Sequence, residues 1–396
     1  PTLICICETR AFPEQLVYVT FPILIAPQAP SIHARRDHAR PCWTLTQSEL
    51  FPRGNNIAER NMPKVTSRER FAWAMYDFAS SGYSTVVLTA VYSAYFVGVI
   101  GAQSGLDSAS ATALWTTAIA VANGIVLLSA PIIGAIADYH ASKKTFLVAF
   151  TLLCIIATGC IAAVDPANIA LATALVVFSY IMFASGENLI SAFLPEIATP
   201  ATMGRTSGYG WSIGYVGGLV TLALCLAYIS WAQNQGQAAA ESVPMTLVIT
   251  AGVMLCASMI TFIWLKERAI AAEMENGRSY VRVAFDRLRQ TLSQAKRFQD
   301  LFRFLVSLTI FQAGISTVFV VAAIYAQEEM GFSTSELVTM IMVVNVTAAA
   351  GAFAVGHVQD RLGSRAALSM GLALWILALL IIITAQSRPL IWLGAN

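Results

Sequence analysis

Two carboxyl side chains stand where water is scarce. Asp77 falls within the apolar run Phe71 to Ile100, and Glu187 within Asn168 to Leu194. A charge at mid-membrane costs about 2.5–3.5 kcal/mol on the insertion scale, so such a residue by default faces a cavity and marks a path. Asp77, Ser80, Ser81 and Ser84 follow i, i+3, i+4, i+7 spacing, with Tyr76 beside them. They share one helix face, and a polar stripe on an apolar helix is expected to look toward water or a solute. Both carboxyls stand about two turns from the same end of their helices. If they share a vestibule, they can hold and pass on a proton. Asn188 adjoins Glu187, Gln312, Ser316 and Thr317 share a face of a later run, and Asn345 and Thr347 follow in the next. Such amides and hydroxyls can hydrogen-bond a polar solute, although uncharged polar residues equally join helices.

The elements that position these groups follow from composition. Of 396 residues, 57% are hydrophobic and 12% charged, against roughly 45–50% and 25% in soluble domains. That excludes a soluble globular protein, and a net charge of +2 gives no reason to expect nucleic-acid binding. A hydrocarbon layer of ~30 Å needs about 20 apolar residues of helix, because each backbone N–H and C=O must be satisfied within the segment. Nine such runs occur: Phe71 to Ile100, Ala111 to Ala137, Thr145 to Val164, Asn168 to Leu194, Thr206 to Ala232, Pro244 to Leu265, Phe304 to Gln327, Ser335 to Val358 and Ala366 to Gln386. Pro389 to Asn396 reads as the start of a tenth.

Lys and Arg gather on one side of these runs. Lys64, Arg68, Arg70, Lys143, Lys144, Arg205, Arg361, Arg365 and the cations from Lys266 to Arg303 all belong to it, against Arg388 on the other. Cytoplasmic loops retain positive charge, so the amino terminus is expected in the cytoplasm. The opposite side carries Asp107, Asp165, Glu241, Glu328, Glu329 and Glu336.

Four segments emerge. Residues 1–61 hold no Met, three of the seven Cys and half of the Pro, and read as an unstructured tail or non-native upstream segment. Residues 62–265 form an expected six-helix bundle, and 266–303 a cytoplasmic linker. There Val283, Phe285, Leu288, Leu292, Ala295, Phe298 and Leu301 recur at helical spacing among Arg287, Arg289, Lys296 and Arg297, as in a helix lying on lipid. Residues 304–396 form an incomplete second bundle. The cysteines lack zinc-site spacing, so neither a metal site nor a disulfide framework is expected.

The two bundles share a motif. GAIADYHASKK runs from Gly134 to Lys144 and GHVQDRLGSR from Gly356 to Arg365. Each places a Gly four residues before an Asp, then a turn and basic residues: Asp138, Lys143 and Lys144 in one copy, Asp360, Arg361 and Arg365 in the other. Asp138 and Asp360 are 222 residues apart and equivalent if the chain is a duplicated pair of six-span halves, the plan of many secondary carriers. The glycines allow close helix approach. The aspartates can pair with Arg or cap a helix of the other half, closing the cytoplasmic side in one state and releasing it in another. This symmetry places Asp360 near Arg205 and Thr206, and gives Asp138 a partner on an eleventh span. Gly208, Gly210, Gly214, Gly217 and Gly218 lack the strand and Lys-Ser/Thr of a phosphate loop; Gly210, Gly214 and Gly218 give a smooth face for helix crossing.

GHVQDRLGSR closely resembles the loop signature of the major facilitator superfamily, Gly-x-x-x-Asp-Arg-x-Gly-x-Arg. GAIADYHASKK is a weaker copy, with Tyr139 for a basic residue and Ala141 for Gly. WAMYDFASSGYSTVVLTAVY (Trp73 to Tyr92) and SAFLPEIATPATMGRTSGYGWSIGYVGGL (Ser191 to Leu219) are similar to the branch named after the autophagy-related vacuolar amino-acid effluxers. The resemblance implies an all-α, polytopic helix bundle of the major facilitator type, cut after about nine of twelve spans. It further implies a secondary active transporter working by alternating access on a small polar solute, with amino acids as its cargo. Proton coupling is expected from the carboxyls. Its expected partners are the lipid bilayer, the solute and protons, and it needs no cofactor. It is expected to be a monomer in the plasma membrane of a bacterium or the vacuolar membrane of a fungus. A receptor or channel on the same scaffold is the alternative. An enzyme would need a nucleophile–base or metal constellation within the spans, and His140 and His357 both read as loop residues.

Overall fold

The computed structural model describes residues 65–199, 201–268, 289, 302–311, 314–315, 334–384 and 387–395. Among them the chain is helical throughout, and eight helices are long and apolar enough to cross a membrane. In order they are α1 (Ser67–Gly101), α2 (Ser108–His140), α3 (Lys143–Ile161), α4 (Ile169–Ser191), α5 (Met203–Asn234) and α6 (Ala239–Trp264), then α8 (Thr334–Leu362) and α9 (Ser364–Thr384). The short α7 (Phe302–Phe311) precedes α8, and α10 (Arg388–Ala395) follows α9. Residues 1–61, the amphipathic stretch of the linker and most of the seventh run lie outside the described residues, apart from Arg289 and α7.

Ends are set by local chemistry. Thr66 accepts from the Glu69 N–H at 3.3 Å and Asn168 from Leu171 at 3.1 Å, satisfying first-turn donors of α1 and α4. The motif stretches expected as loops are mostly helix: α2 runs to His140 and α8 to Leu362. The turns themselves are short. Ala141 (φ 48°) and Gly363 (φ 83°) hold equivalent left-handed positions, which Gly adopts freely and Ala does not. α1 is irregular: α-helical to Tyr83, π-helical over Ser84–Ala90 and again over Phe96–Gly101.

In lipid, helices associate through close packing and hydrogen bonds, not through apolar burial alone. Two apolar clusters fill the interior of α1–α6. One gathers Tyr83, Tyr92, Trp115, Tyr180, Phe183 and Met254, the other Trp73, Tyr76, Leu147, Phe193 and Leu265. Hydroxyls tie helix to helix: Tyr83 Oη to Ser179 Oγ at 2.8 Å, Tyr180 Oη to Asn123 Oδ1 at 2.9 Å, and Thr261 Oγ1 to the Ala72 carbonyl at 2.6 Å. α5 lies between α1 on one side and α8 on the other. Its glycines make both contacts possible: a Cβ on Gly217 would lie 2.6 Å from Phe78 Cα of α1, and one on Gly208 would lie 2.6 Å from the Ala352 carbonyl oxygen of α8.

Candidate functional site: buried carboxyls and a basic-face seam

The Trp73 indole N–H donates to the Ile190 carbonyl of α4 at 2.8 Å. That bond fixes α1 against α4 and lays the ring against α5, where a Cβ on Gly210 would stand 2.6 Å from Trp73 Cζ3 and 2.8 Å from Asp77 Oδ2. Glycine at 210 thus lets the Asp77 carboxylate reach the α5 backbone, and Gly214 one turn on lies against Asp77 Cβ. Asp77 is 8% exposed and Glu187 3%. Both lie within electrostatic reach of the Tyr76 hydroxyl, which hydrogen-bonds Thr151 Oγ1 at 3.1 Å and rests against Gly186. α1, α3, α4 and α5 thereby assemble two buried carboxyls around one phenol. The Asn188 Oδ1 atom is buried beside them with no hydrogen-bond partner among the described residues.

In the serine stripe, Ser80 and Ser84 are buried, at 1% and 4% exposure. Their hydroxyls donate to the Asp77 and Ser81 carbonyls of their own helix at 3.3 and 3.1 Å, so polar periodicity was satisfied locally. Ser81 packs toward Gly214 of α5. Gln312, Ser316 and Thr317 lie outside the described residues, as do the side chains of Asp138 and Tyr139. The Asp138 backbone ends α2 at the face from which α3 starts, the face that also carries the start of α5 and the end of α8. Gly134 sits within α2.

At that basic face, α8 meets the start of α5. The Asp360 carboxylate accepts from the Gly204 and Arg205 backbone N–H groups at 2.9 and 3.2 Å, and the Arg205 Nε lies 3.6 Å from it. The first four amides of a helix have no internal acceptor and sit at its positive end, so a carboxylate there is a charge-assisted cap. Gly204, Gly208 and Gly356 allow the backbones this close: a Cβ on Gly356 would lie 2.7 Å from the Gly204 carbonyl oxygen. Further in, Tyr209 Oη meets His357 Nε2 at 3.4 Å, and Ser212 Oγ reaches the Ala349 carbonyl at 2.7 Å. Arg361 and Arg365 are exposed at the end of this seam.

Lys143 and Lys144 have their partners in α1–α6 and the residues just past α6. Glu267, just past α6, caps the start of α3 by accepting from the Lys143 and Lys144 amides at 2.6 and 3.2 Å. Lys143 Nζ pairs with Glu196 at 3.1 Å, Lys144 Nζ donates to the Leu265 carbonyl at 2.6 Å, and Arg268 pairs with Glu69. Trp73, Glu69, Glu196, Glu267, Arg268, Tyr209 and Ser212 were not singled out from sequence. The acidic ones carried a readable signal as carboxylates set among the Lys and Arg of one face. No cluster of three His, Cys, Asp or Glu able to hold a metal occurs among the described residues.

Residues 65–385 match the model of the family described as vacuole effluxer Atg22 like. The chain belongs to this family. It is a major facilitator superfamily transporter of the Atg22-like branch, a multi-pass membrane protein that transports a solute and is not an enzyme. It is 26% identical over 323 residues to the uncharacterized MFS-type transporter YxiO of Bacillus subtilis (strain 168), covering 80% of this chain and 73% of that protein. Autophagy-related protein 22 of Yarrowia lipolytica is 25% identical over 206 residues, 47% of this chain and 34% of that one. Among solved structures, the proton:xylose symporter XylE bound to 6-bromo-6-deoxy-D-glucose is similar at a TM-score of 0.49 and 16% identity, covering 75% of this chain and 68% of that one.

Proposed function

We propose that this Atg22-like transporter is a proton-coupled secondary carrier for small polar solutes, amino acids foremost, working by alternating access between two halves joined through residues 266–303. The basic face is the cytoplasmic one, which puts the amino terminus inside, and the α5–α8 seam is the closed inner gate. The observation that carries this reading is the Asp360 cap on α5. It joins helices on either side of the long connection through donors that water can satisfy equally well once the seam opens. Asp77 and Glu187, both within reach of Tyr76, are the coupling groups: a buried carboxyl can take up a proton or meet the ammonium of a solute. Amino-acid cargo is what the resemblance to the vacuolar amino-acid effluxer branch implies, by analogy only. The far longer match to the bacterial relative than to the fungal one supports a plasma-membrane location.

The test is uptake and counterflow in proteoliposomes, with a panel of labelled amino acids and an imposed pH gradient. Accumulation driven by the gradient, abolished in Asp77→Asn while counterflow persists, is the expected result. Uptake by Asp77→Asn that matches the wild type at every pH refutes the coupling role. Flux without counterflow replaces the carrier by a channel, and binding without flux replaces it by a receptor.

A further inference from the structure

Ser212 lies deeper in the seam than Asp360, eight residues along α5 from Gly204, or about 12 Å. Its hydroxyl is within hydrogen-bond distance of two carbonyl oxygens, that of Gly208 on its own helix at 2.8 Å and that of Ala349 on α8 at 2.7 Å. A hydroxyl has one proton to donate. We propose that Ser212 is a two-position bolt of the inner gate, donating to Ala349 across the seam when the gate is closed and to Gly208 when it is open. This rests on the reading of the α5–α8 seam as that gate.

Each end of the exchange is satisfied. When the helices part, the Ser212 hydroxyl keeps an acceptor four residues back, a standard bond for a helical serine. The Ala349 carbonyl keeps its own i+4 amide. Opening at this depth therefore orphans no polar group in a region poor in water, where an unsatisfied one costs several kcal/mol. A seam closed by apolar contact alone lacks directional hold, and one closed by a side chain without an alternative acceptor is costly to open. Ser212 avoids both conditions, and the glycines on either side keep the backbones near enough for it to reach.

Its position also ties it to the carboxyl site. Asp77 packs against Gly210 and Gly214, and Ser212 lies two residues from each, about 200° around the helix. One helix thickness separates the Asp77 carboxylate from the bolt. Movement of α5 away from or toward Asp77 changes the Ser212 to Ala349 distance directly, so Ser212 is a positioning residue for the transport cycle and need not touch the solute.

The test needs no known substrate. Spin labels at Ala201→Cys and Leu362→Cys, both exposed, report the separation of the two helix ends at the basic face in the full chain reconstituted in lipid. Ser212→Ala is expected to raise the ratio of separated to closed populations about two- to tenfold, the size of one net hydrogen bond, while Ser212→Thr, which keeps the hydroxyl, stays near the wild type. A shift as large in Thr as in Ala assigns the effect to packing and overturns the bolt. No shift in Ser212→Ala alongside a clear shift in Asp360→Asn overturns the bolt and leaves the gate standing. No shift in either variant removes the gate reading and the bolt with it.

Discussion

Gly208→Ala separates what closes the seam from what holds the fold. A Cβ at 208 would lie 2.6 Å from the Ala352 carbonyl oxygen and 3.2 Å from Gly356 Cα. Both obstacles are backbone and cannot rotate away, so α5 and α8 must part by about 0.8 Å to restore ordinary contact. Overpacking of this kind costs about 1–3 kcal/mol. It falls on the closed state alone, because the open state has no α8 against Gly208. The same displacement stretches the 2.7 Å Ser212 to Ala349 bond to the limit of hydrogen bonding. Meanwhile Ala improves helix propensity by about 1 kcal/mol in either state, so α5 itself is not weakened. With tenfold per 1.4 kcal/mol, the ratio of closed to open falls by roughly five- to 150-fold.

Gln359 packs against Gly204 in the seam and is 5% exposed. In a chain whose native cysteines are replaced by alanine, Gln359→Cys therefore reports opening through its reaction with a membrane-impermeant maleimide applied to the basic face of inverted vesicles. Gly208→Ala should speed that labelling by the factor above and leave the melting temperature in detergent nearly unchanged. Gly217→Ala is the control. Its Cβ would collide with Phe78 of α1, a contact between helices of the same bundle, so melting should fall while labelling stays slow. If Gly208→Ala labels no faster, or melts early like Gly217→Ala with labelling unchanged, the α5–α8 crossing is not what shuts this face.

Asp360→Asn removes the charge from a helix cap worth about 0.3–2 kcal/mol, and should accelerate the same labelling by somewhat under twofold to about thirtyfold. Glu267→Ala removes the cap of α3, about 0.5–2 kcal/mol, and should lower the melting temperature without altering labelling, since both partners belong to α1–α6 and its immediate continuation. Ala141→Gly relieves a left-handed alanine and should raise the melting temperature by an amount corresponding to about 1 kcal/mol. Asp107, on the opposite face, has its carboxyl held below its ordinary value, first by the Ser110 hydroxyl. Its contribution to the start of α2 is complete above the ordinary carboxyl range and lost as pH falls through the lowered value. Amide exchange at Ser110 and Ala111 should accelerate only in that acidic window, and Asp107→Asn should abolish the pH dependence.

Most helices were legible because lipid leaves the backbone one economical solution, and a run of twenty apolar residues has few other uses. The runs at Thr145, Asn168, Thr206 and Pro244 correspond to α3, α4, α5 and α6 with ends displaced by a few residues. The π-helical turns of α1 were not legible, since no proline or distinctive pattern marks Ser84–Ala90. The contact of Asp360 with the start of α5 followed from the repeat alone. The partners of Lys143 and Lys144 did not, because counting cations to orient the chain passes over the carboxylates among them, and Glu196 and Glu267 come from distant segments. Ser80 and Ser84, which donate to carbonyls of their own helix, show why hydroxyl spacing is a weaker signal than charge. A hydroxyl on a helix can satisfy itself on the preceding turn, so its presence carries no information about water, whereas a carboxylate has no such recourse.

That difference between groups that satisfy themselves and groups that need a partner orders the basic face. On the acidic face, α2, α4 and α6 begin beside their own acidic or amide residues: Asp107, Asn168 and Glu241. On the basic face, α3 and α5 begin at Lys143 and at Met203 beside Arg205, in segments whose positive charge suits topology but opposes the positive end of a helix. Each therefore takes its carboxylate from elsewhere. Glu267 reaches α3 from just past α6, its carboxylate accepting from the Lys143 and Lys144 amides, while Lys144 Nζ holds the neighbouring Leu265 carbonyl and Arg268 pairs with Glu69. Asp360 reaches α5 from α8, across the long connection, and is held by two amides and one partly exposed guanidinium. The same electrostatic need is thus met within α1–α6 and its continuation in one place and between α5 and α8 in the other, and the proposed gate takes the second as its separable joint, on the seam where Ser212 sits.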